Sequence, residues 1–155
     1  MLIYLQETRL ALWVSGSSSL LGYPAILTLH TIGLALLVGA GVAVDLRLLG
    51  VARGTPLSAL APLFRIMWIG LAINTVSGVL LFIADAVRKG SQPIFAVKLL
   101  CVAGAVAVLV MIRSLVLHPS SAVTIAASTR ARALAMASLV LWTGAIVAGR
   151  LMAYL

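Results

Sequence analysis

Long apolar stretches separated by short polar segments dominate the pattern of this chain. Two of them, over residues 25–44 and 66–84, are free of charged residues. About 20 apolar residues in a helix cross the roughly 30 Å hydrocarbon layer of a bilayer. Each stretch therefore predicts a transmembrane helix.

Two further stretches, over residues 94–117 and 133–155, reach spanning length only by including basic residues near their ends. Lys98 and Arg113 lie in the first of these stretches, and Arg150 lies in the second. Long basic side chains can extend along a helix to the membrane surface, so they are compatible with a span. The sequence thus predicts four transmembrane helices.

The remaining segments complete the predicted architecture. Residues 2–14 mix charged and apolar positions and predict an amphipathic helix that lies in the interface. The connections between spans are short and contain Gly, Ser, Thr and Pro, so consecutive helices should pack as antiparallel neighbours. We predict an all-α fold, with residues 1–155 forming one transmembrane domain, an up-and-down four-helix bundle.

Composition and charge agree with this architecture. Hydrophobic residues make up 63% of the chain and charged residues 9%, with a mean hydropathy of +1.22, whereas about a quarter of a typical soluble domain is charged. The net charge of +8 is explained by basic residues at helix ends facing anionic headgroups. We expect the lipid bilayer to be the partner of these charges, and we expect no nucleic-acid binding.

The placement of basic residues predicts the orientation. One side holds six of the eleven basic residues: Arg47, Arg53, Arg65, Arg113, Arg130 and Arg132. When Lys98 and Arg150 are set aside as lying within spans, the other side holds Arg9, Arg88 and Lys89. The positive-inside rule then predicts a bacterial inner-membrane protein with both termini in the periplasm.

Four ionisable residues, one from each predicted helix, fall at the same level of the bundle: His30, Asp85, Lys98 and Arg150. Ionisable groups at membrane depth are costly and often mark a ligand site, which here would suit an anionic or metal-containing ligand. The alternative is structural, with Asp85 paired to Lys98 or Arg150 and His30 bonded to a backbone carbonyl. The pattern leaves both interpretations open.

Several runs carry a resemblance to known proteins. They are His30–Gly39, Asp45–Gly50, Gly78–Phe82 and Gly149–Tyr154. Together they resemble an uncharacterised family of small bacterial four-helix inner-membrane proteins. The His-x-x-Gly start of the first span is also distantly similar to copper-resistance D membrane domains and to small b-type cytochrome bundles.

The more distant resemblance implies haem b held between helices, with His30 as an axial ligand to the metal. Arg150 and Lys98 would then bind the propionates, and Asp85 would lie beside them. Only one other histidine exists, His118, and it is predicted to lie at the opposite end of the bundle. The second ligand would be Met152, a small molecule or nothing, unless two protomers share the site.

Copper is the alternative cofactor, because His30, Cys101 and Met152 are donors that Cu(I) prefers. Cys101 and Met152 also suit the roles of a small core residue and a gap filler.

No catalytic motif is evident, and we expect no independent catalytic activity. The other functions that remain open are a non-catalytic subunit or assembly factor of a larger complex and a small oligomeric transporter or channel.

Overall fold

The structure, a computed structural model, describes residues 2–16, 21–51, 53–117 and 128–154. Within these ranges it contains seven α-helices and no strand, so the predicted all-α fold is confirmed. The helices are α1 Leu2–Gln6, α2 Arg9–Gly16, α3 Tyr23–Leu49, α4 Ala61–Ile83, α5 Ala86–Ser91, α6 Pro93–Leu117 and α7 Thr129–Leu151. A short 3-10 turn, Leu57–Leu60, leads into α4.

Four of these helices, α3, α4, α6 and α7, are long and apolar enough to cross a membrane. The protein is therefore a multi-pass membrane protein. Helix α3 extends at both ends beyond the predicted 25–44. Helices α4 and α7 begin before the predicted residues 66 and 133, because the helical backbone continues through Arg65 and through Arg130 and Arg132, but they end at residues 83 and 151 rather than 84 and 155. Residue 155 lies outside the described residues.

The long helices pack in a definite order. Helix α3 packs most extensively on α4 and also contacts α7, and α6 packs along α7, whereas α4 and α6 make few contacts with each other. We call the end where α3 begins and α4 finishes the His30 end, and the opposite end the Asp45 end. The main apolar core includes residues from all four long helices, among them Leu37, Phe64, Leu109 and Trp142.

The close contact between α3 and α4 depends on two glycines. A Cβ at Gly70 would lie 2.7 Å from the Leu37 nitrogen and 2.8 Å from the Gly33 oxygen. A Cβ at Gly33 would lie 2.9 Å from the Asn74 nitrogen. Since only glycine allows two helix backbones to approach this closely, this small-residue face packs within the bundle.

The N-terminal segment differs from the single helix predicted over 2–14. It forms the two helices α1 and α2, and Thr8 accounts for the break between them. The Thr8 hydroxyl accepts a hydrogen bond from the Ala11 nitrogen at 3.3 Å, as an N-cap residue does for a new helix. The segment packs against the bundle, since Ala11 and Val14 are buried.

Short helices cover the His30 end of the bundle. Val14 of α2 belongs to a small apolar cluster with Ile26, Leu81 and Ala84. Helix α5, which the sequence predicted as part of a connection, packs against α1. The His30 end is thus partly covered by α1, α2 and α5.

Candidate functional site at the His30 end

His30 is partly buried in the second turn of α3 and faces α4. Its Nδ1 atom lies 3.0 Å from the Ser77 hydroxyl oxygen. That hydroxyl also lies 2.6 Å from the Ile73 carbonyl oxygen and 3.3 Å from the Asn74 carbonyl oxygen. When Ser77 donates to one of these carbonyls it accepts from Nδ1–H, and in this tautomer the lone pair of His30 is on Nε2.

Two further residues of α4 fix the position of His30. The Asn74 side-chain amide donates to the His30 carbonyl oxygen at 2.9 Å. A Cβ at Gly78 would lie 3.2 Å from His30 Cε1, so the absence of a side chain at Gly78 makes room for the imidazole ring. The ring is thus held by α4 on one side, as metal-binding histidines are commonly held through their second nitrogen.

Two lysines act electrostatically on His30. Lys98 of α6 is half-buried and has the larger effect of the two, and Lys89 of α5 adds to it. The aliphatic part of Lys98 lies beside α7, where a Cβ at Gly149 would be 3.6 Å from Lys98 Cε. The ion pairs within the described ranges include none for Lys98. The arrangement places cationic side chains from α5 and α6 near one imidazole.

The sequence pattern did not indicate Lys89 as a site residue, because Lys89 lies outside the apolar spans, in the six-residue helix α5. Its ammonium donates a hydrogen bond to the Leu81 carbonyl at 2.6 Å, in the last turn of α4. Burial lowers the pKa of Lys89, and the charges of Arg88 and Lys98 lower it further, while Asp85 opposes them. The lysine both caps α4 and adds positive charge to the site.

Asp85 has a local ionic partner. Its Oδ2 atom lies 2.6 Å from Arg88 Nη2, and the neighbouring carboxylate raises the pKa of Arg88. The structure therefore pairs Asp85 with Arg88 rather than with Lys98 or Arg150.

The two C-terminal candidates differ in exposure. Arg150 is exposed near the end of α7, while Met152 is buried. His118 lies outside the described residues.

Cys101 packs towards α7. A Cβ at Gly144 would lie 3.2 Å from the Cys101 sulfur, so this glycine and the cysteine face each other across the α6–α7 contact. Within the described ranges, no three residues among His, Cys, Asp and Glu come together as a metal-binding group. The structure thus supports the interpretation of Cys101 as a small packing residue.

Acidic groups are scarce throughout the protein. The sequence has three: Glu7, Asp45 and Asp85. Asp85 pairs with Arg88, and Asp45 lies at the opposite end of the bundle. The His30 end carries a surplus of positive charge, which favours anionic ligands.

Fold and site together define an all-α, multi-pass membrane protein with a fixed imidazole and cationic side chains at one end of its bundle. No protein-family model, curated protein or solved structure matches the chain significantly.

Proposed function

We propose that the protein binds an anionic redox cofactor, haem b, at the His30 end of the bundle. The observation that carries this proposal is the 3.0 Å contact between His30 Nδ1 and the Ser77 hydroxyl, because the Nδ1–H tautomer would leave Nε2 as a metal donor. The charge of Lys98 acts on the same imidazole, and the ion pairs of the described residues include none for Lys98. A histidine imidazole is a common ligand of haem iron, and cationic side chains can neutralise the propionates. Bound haem would supply one-electron transfer.

The residues at the His30 end could bind the iron from one side of the haem and could bind its propionates. His30 would hold the iron through Nε2, and Lys98 and Lys89 would neutralise the propionates, with Arg150 available at the surface. Two grooves in the described part of the bundle lie along α7 and at the Asp45 end. Helices α4 and α6 contact each other little, and the macrocycle would enter between them. Met152 would be the candidate from this chain for a second ligand to the iron.

Two alanine variants test the ligand assignment directly. His30→Ala should abolish haem binding while the bundle stays folded, because the imidazole is the proposed metal donor. His118→Ala is the matched control, since it removes the other histidine and should leave haem content unchanged. The readout is haem per protein in the detergent-purified chain, with circular dichroism as the fold check. Full haem content in His30→Ala would refute the proposal.

A non-catalytic subunit or assembly factor is the second candidate, and the surface of α7 favours it. A shallow groove of about 440 Å³ runs beside Leu139, Thr143, Gly144 and Val147. The exposed side chain of Thr143 is small enough to let a helix of another chain approach along this groove. Thr143→Leu should fill this groove and reduce co-purification of a membrane partner, whereas Val110→Leu on exposed α6 should not. Equal recovery of the partner with both variants would count against this function.

A further inference from the structure

Asp45 is a buried carboxyl group without a cationic partner among the described residues. It lies in the last turns of α3, and only 1% of its surface is exposed. The side chain of Ser138 on α7, itself 3% exposed, lies within hydrogen-bonding range of the Asp45 carboxyl. Its Oδ2 atom is fully buried and has no hydrogen-bond partner in the described part of the chain.

A second buried polar atom lies one helical turn further along α7. The indole Nε1 of Trp142 also has no hydrogen-bond partner among the described residues, and the side chain is 3% exposed. The surrounding core is apolar and includes Val44, Leu48 and Ala135. Two unsatisfied polar atoms on facing helices in such a core are an independent sign of a functional site, because buried polar groups normally have partners.

The basic side chains at the Asp45 end either bond backbone carbonyls or are exposed, and none of those in the described ranges pairs with Asp45. Arg47 donates to the Thr55 carbonyl at 2.6 Å, and Arg53 donates to the Gly50 carbonyl at 3.1 Å. The remaining arginines on the packed helices are exposed: Arg65 of α4, Arg113 of α6, and Arg130 and Arg132 of α7. The described ranges contain no ion pair that involves Asp45. A neutral hydroxyl is thus the identified polar partner of this carboxyl.

We propose that Asp45 is a proton-binding site, in which the bundle holds the carboxyl as the neutral acid beside Ser138. A buried carboxylate without a cation costs several kcal/mol, and binding a proton removes that charge. Release would break the O–H bond and pass the proton to water at the Asp45 end, leaving the carboxylate. This site is separate from His30, so either assignment can fail without the other.

Infrared difference spectroscopy of the purified protein at neutral pH tests the proposal. The expected result is a protonated-carboxyl stretch that persists to neutral pH and is lost completely in Asp45→Asn. Asp85→Asn is the matched control, since Asp85 is ion-paired to Arg88, and it should leave the band unchanged. Absence of the band in the wild-type protein, or its persistence in Asp45→Asn, would overturn the assignment.

Ser138→Ala keeps the test decisive if Asp45→Asn does not fold. This variant retains the carboxyl and removes its hydrogen-bond partner, so the stretch should move to higher frequency. An unshifted band in Ser138→Ala would show that the protonated carboxyl is not the one beside Ser138.

Discussion

At the residue scale, the polar side chains inside the bundle act in pairs that join different helices. His30 of α3 bonds Ser77 of α4, and Asp45 of α3 bonds Ser138 of α7. The sequence indicated His30 because an imidazole in an apolar span is unusual. It could not indicate Ser77 or Ser138, because serines are common in membrane helices. Which serine faces a partner depends on how the two packed helices are rotated against each other, and neither segment alone determines this rotation.

Lys89 gives the protein a pH-dependent stability. Burial lowers the pKa of this lysine, although Asp85 opposes the effect, so the unfolded chain holds the proton more tightly than the folded bundle. The lysine then contributes stability that increases as pH rises towards the ordinary lysine range. As pH rises towards the ordinary lysine pKa of about 10.5, the apparent melting temperature of the wild type should rise relative to that of Lys89→Gln. A constant or falling difference between the two proteins would contradict this expectation.

At the scale of the elements, hydropathy located the four long helices but not their ends or the short helices. Helix α4 begins at Ala61, although the predicted span began at residue 66, because Arg65 continues the helix as an exposed side chain. Helix α5 has only six residues and no long apolar run. Short surface helices are fixed by tertiary contacts, here with α1, rather than by their own composition.

The contact between α3 and α4 makes a prediction about two glycines. Gly70→Ala should destabilise the bundle by about 1–3 kcal/mol, because the new methyl group would meet the backbone of α3. Gly39→Ala is the matched control: nothing lies within 4 Å of a Cβ at this position, so the variant should be neutral or slightly stabilising. The free energy of unfolding in a mixed-detergent titration separates them, and equal values would contradict the packing described here.

At the scale of the whole molecule, the sequence predicted an all-α membrane protein in which consecutive long helices are neighbours. The structure agrees for α3 with α4 and for α6 with α7, whereas α4 and α6 make few contacts with each other. The glycine-containing faces of α4 and α7 could equally have packed within the bundle or between chains. The structure directs Gly70 towards α3 and Gly144 towards Cys101 of α6, so both positions pack within the bundle. Which helices become neighbours depends on which small residues face each other. Because those residues belong to segments far apart in the sequence, no single segment determines the packing.

The predicted orientation can be tested with single cysteines in a Cys101→Ala background. Ser91 and Ser58 are both exposed and lie at opposite ends of the bundle. With both termini outside, a membrane-impermeant maleimide should label Ser91→Cys in intact spheroplasts. It should label Ser58→Cys only after the membrane is permeabilised. The reverse labelling pattern would place the termini in the cytoplasm.

The most direct test of the proposed cofactor is the absorption spectrum of the detergent-purified protein, oxidised and then reduced with dithionite, with metal analysis of the same sample. We expect a Soret band and, after reduction, an alpha band, with iron in stoichiometric amount and both bands absent in His30→Ala. A featureless spectrum without stoichiometric metal would contradict the cofactor assignment.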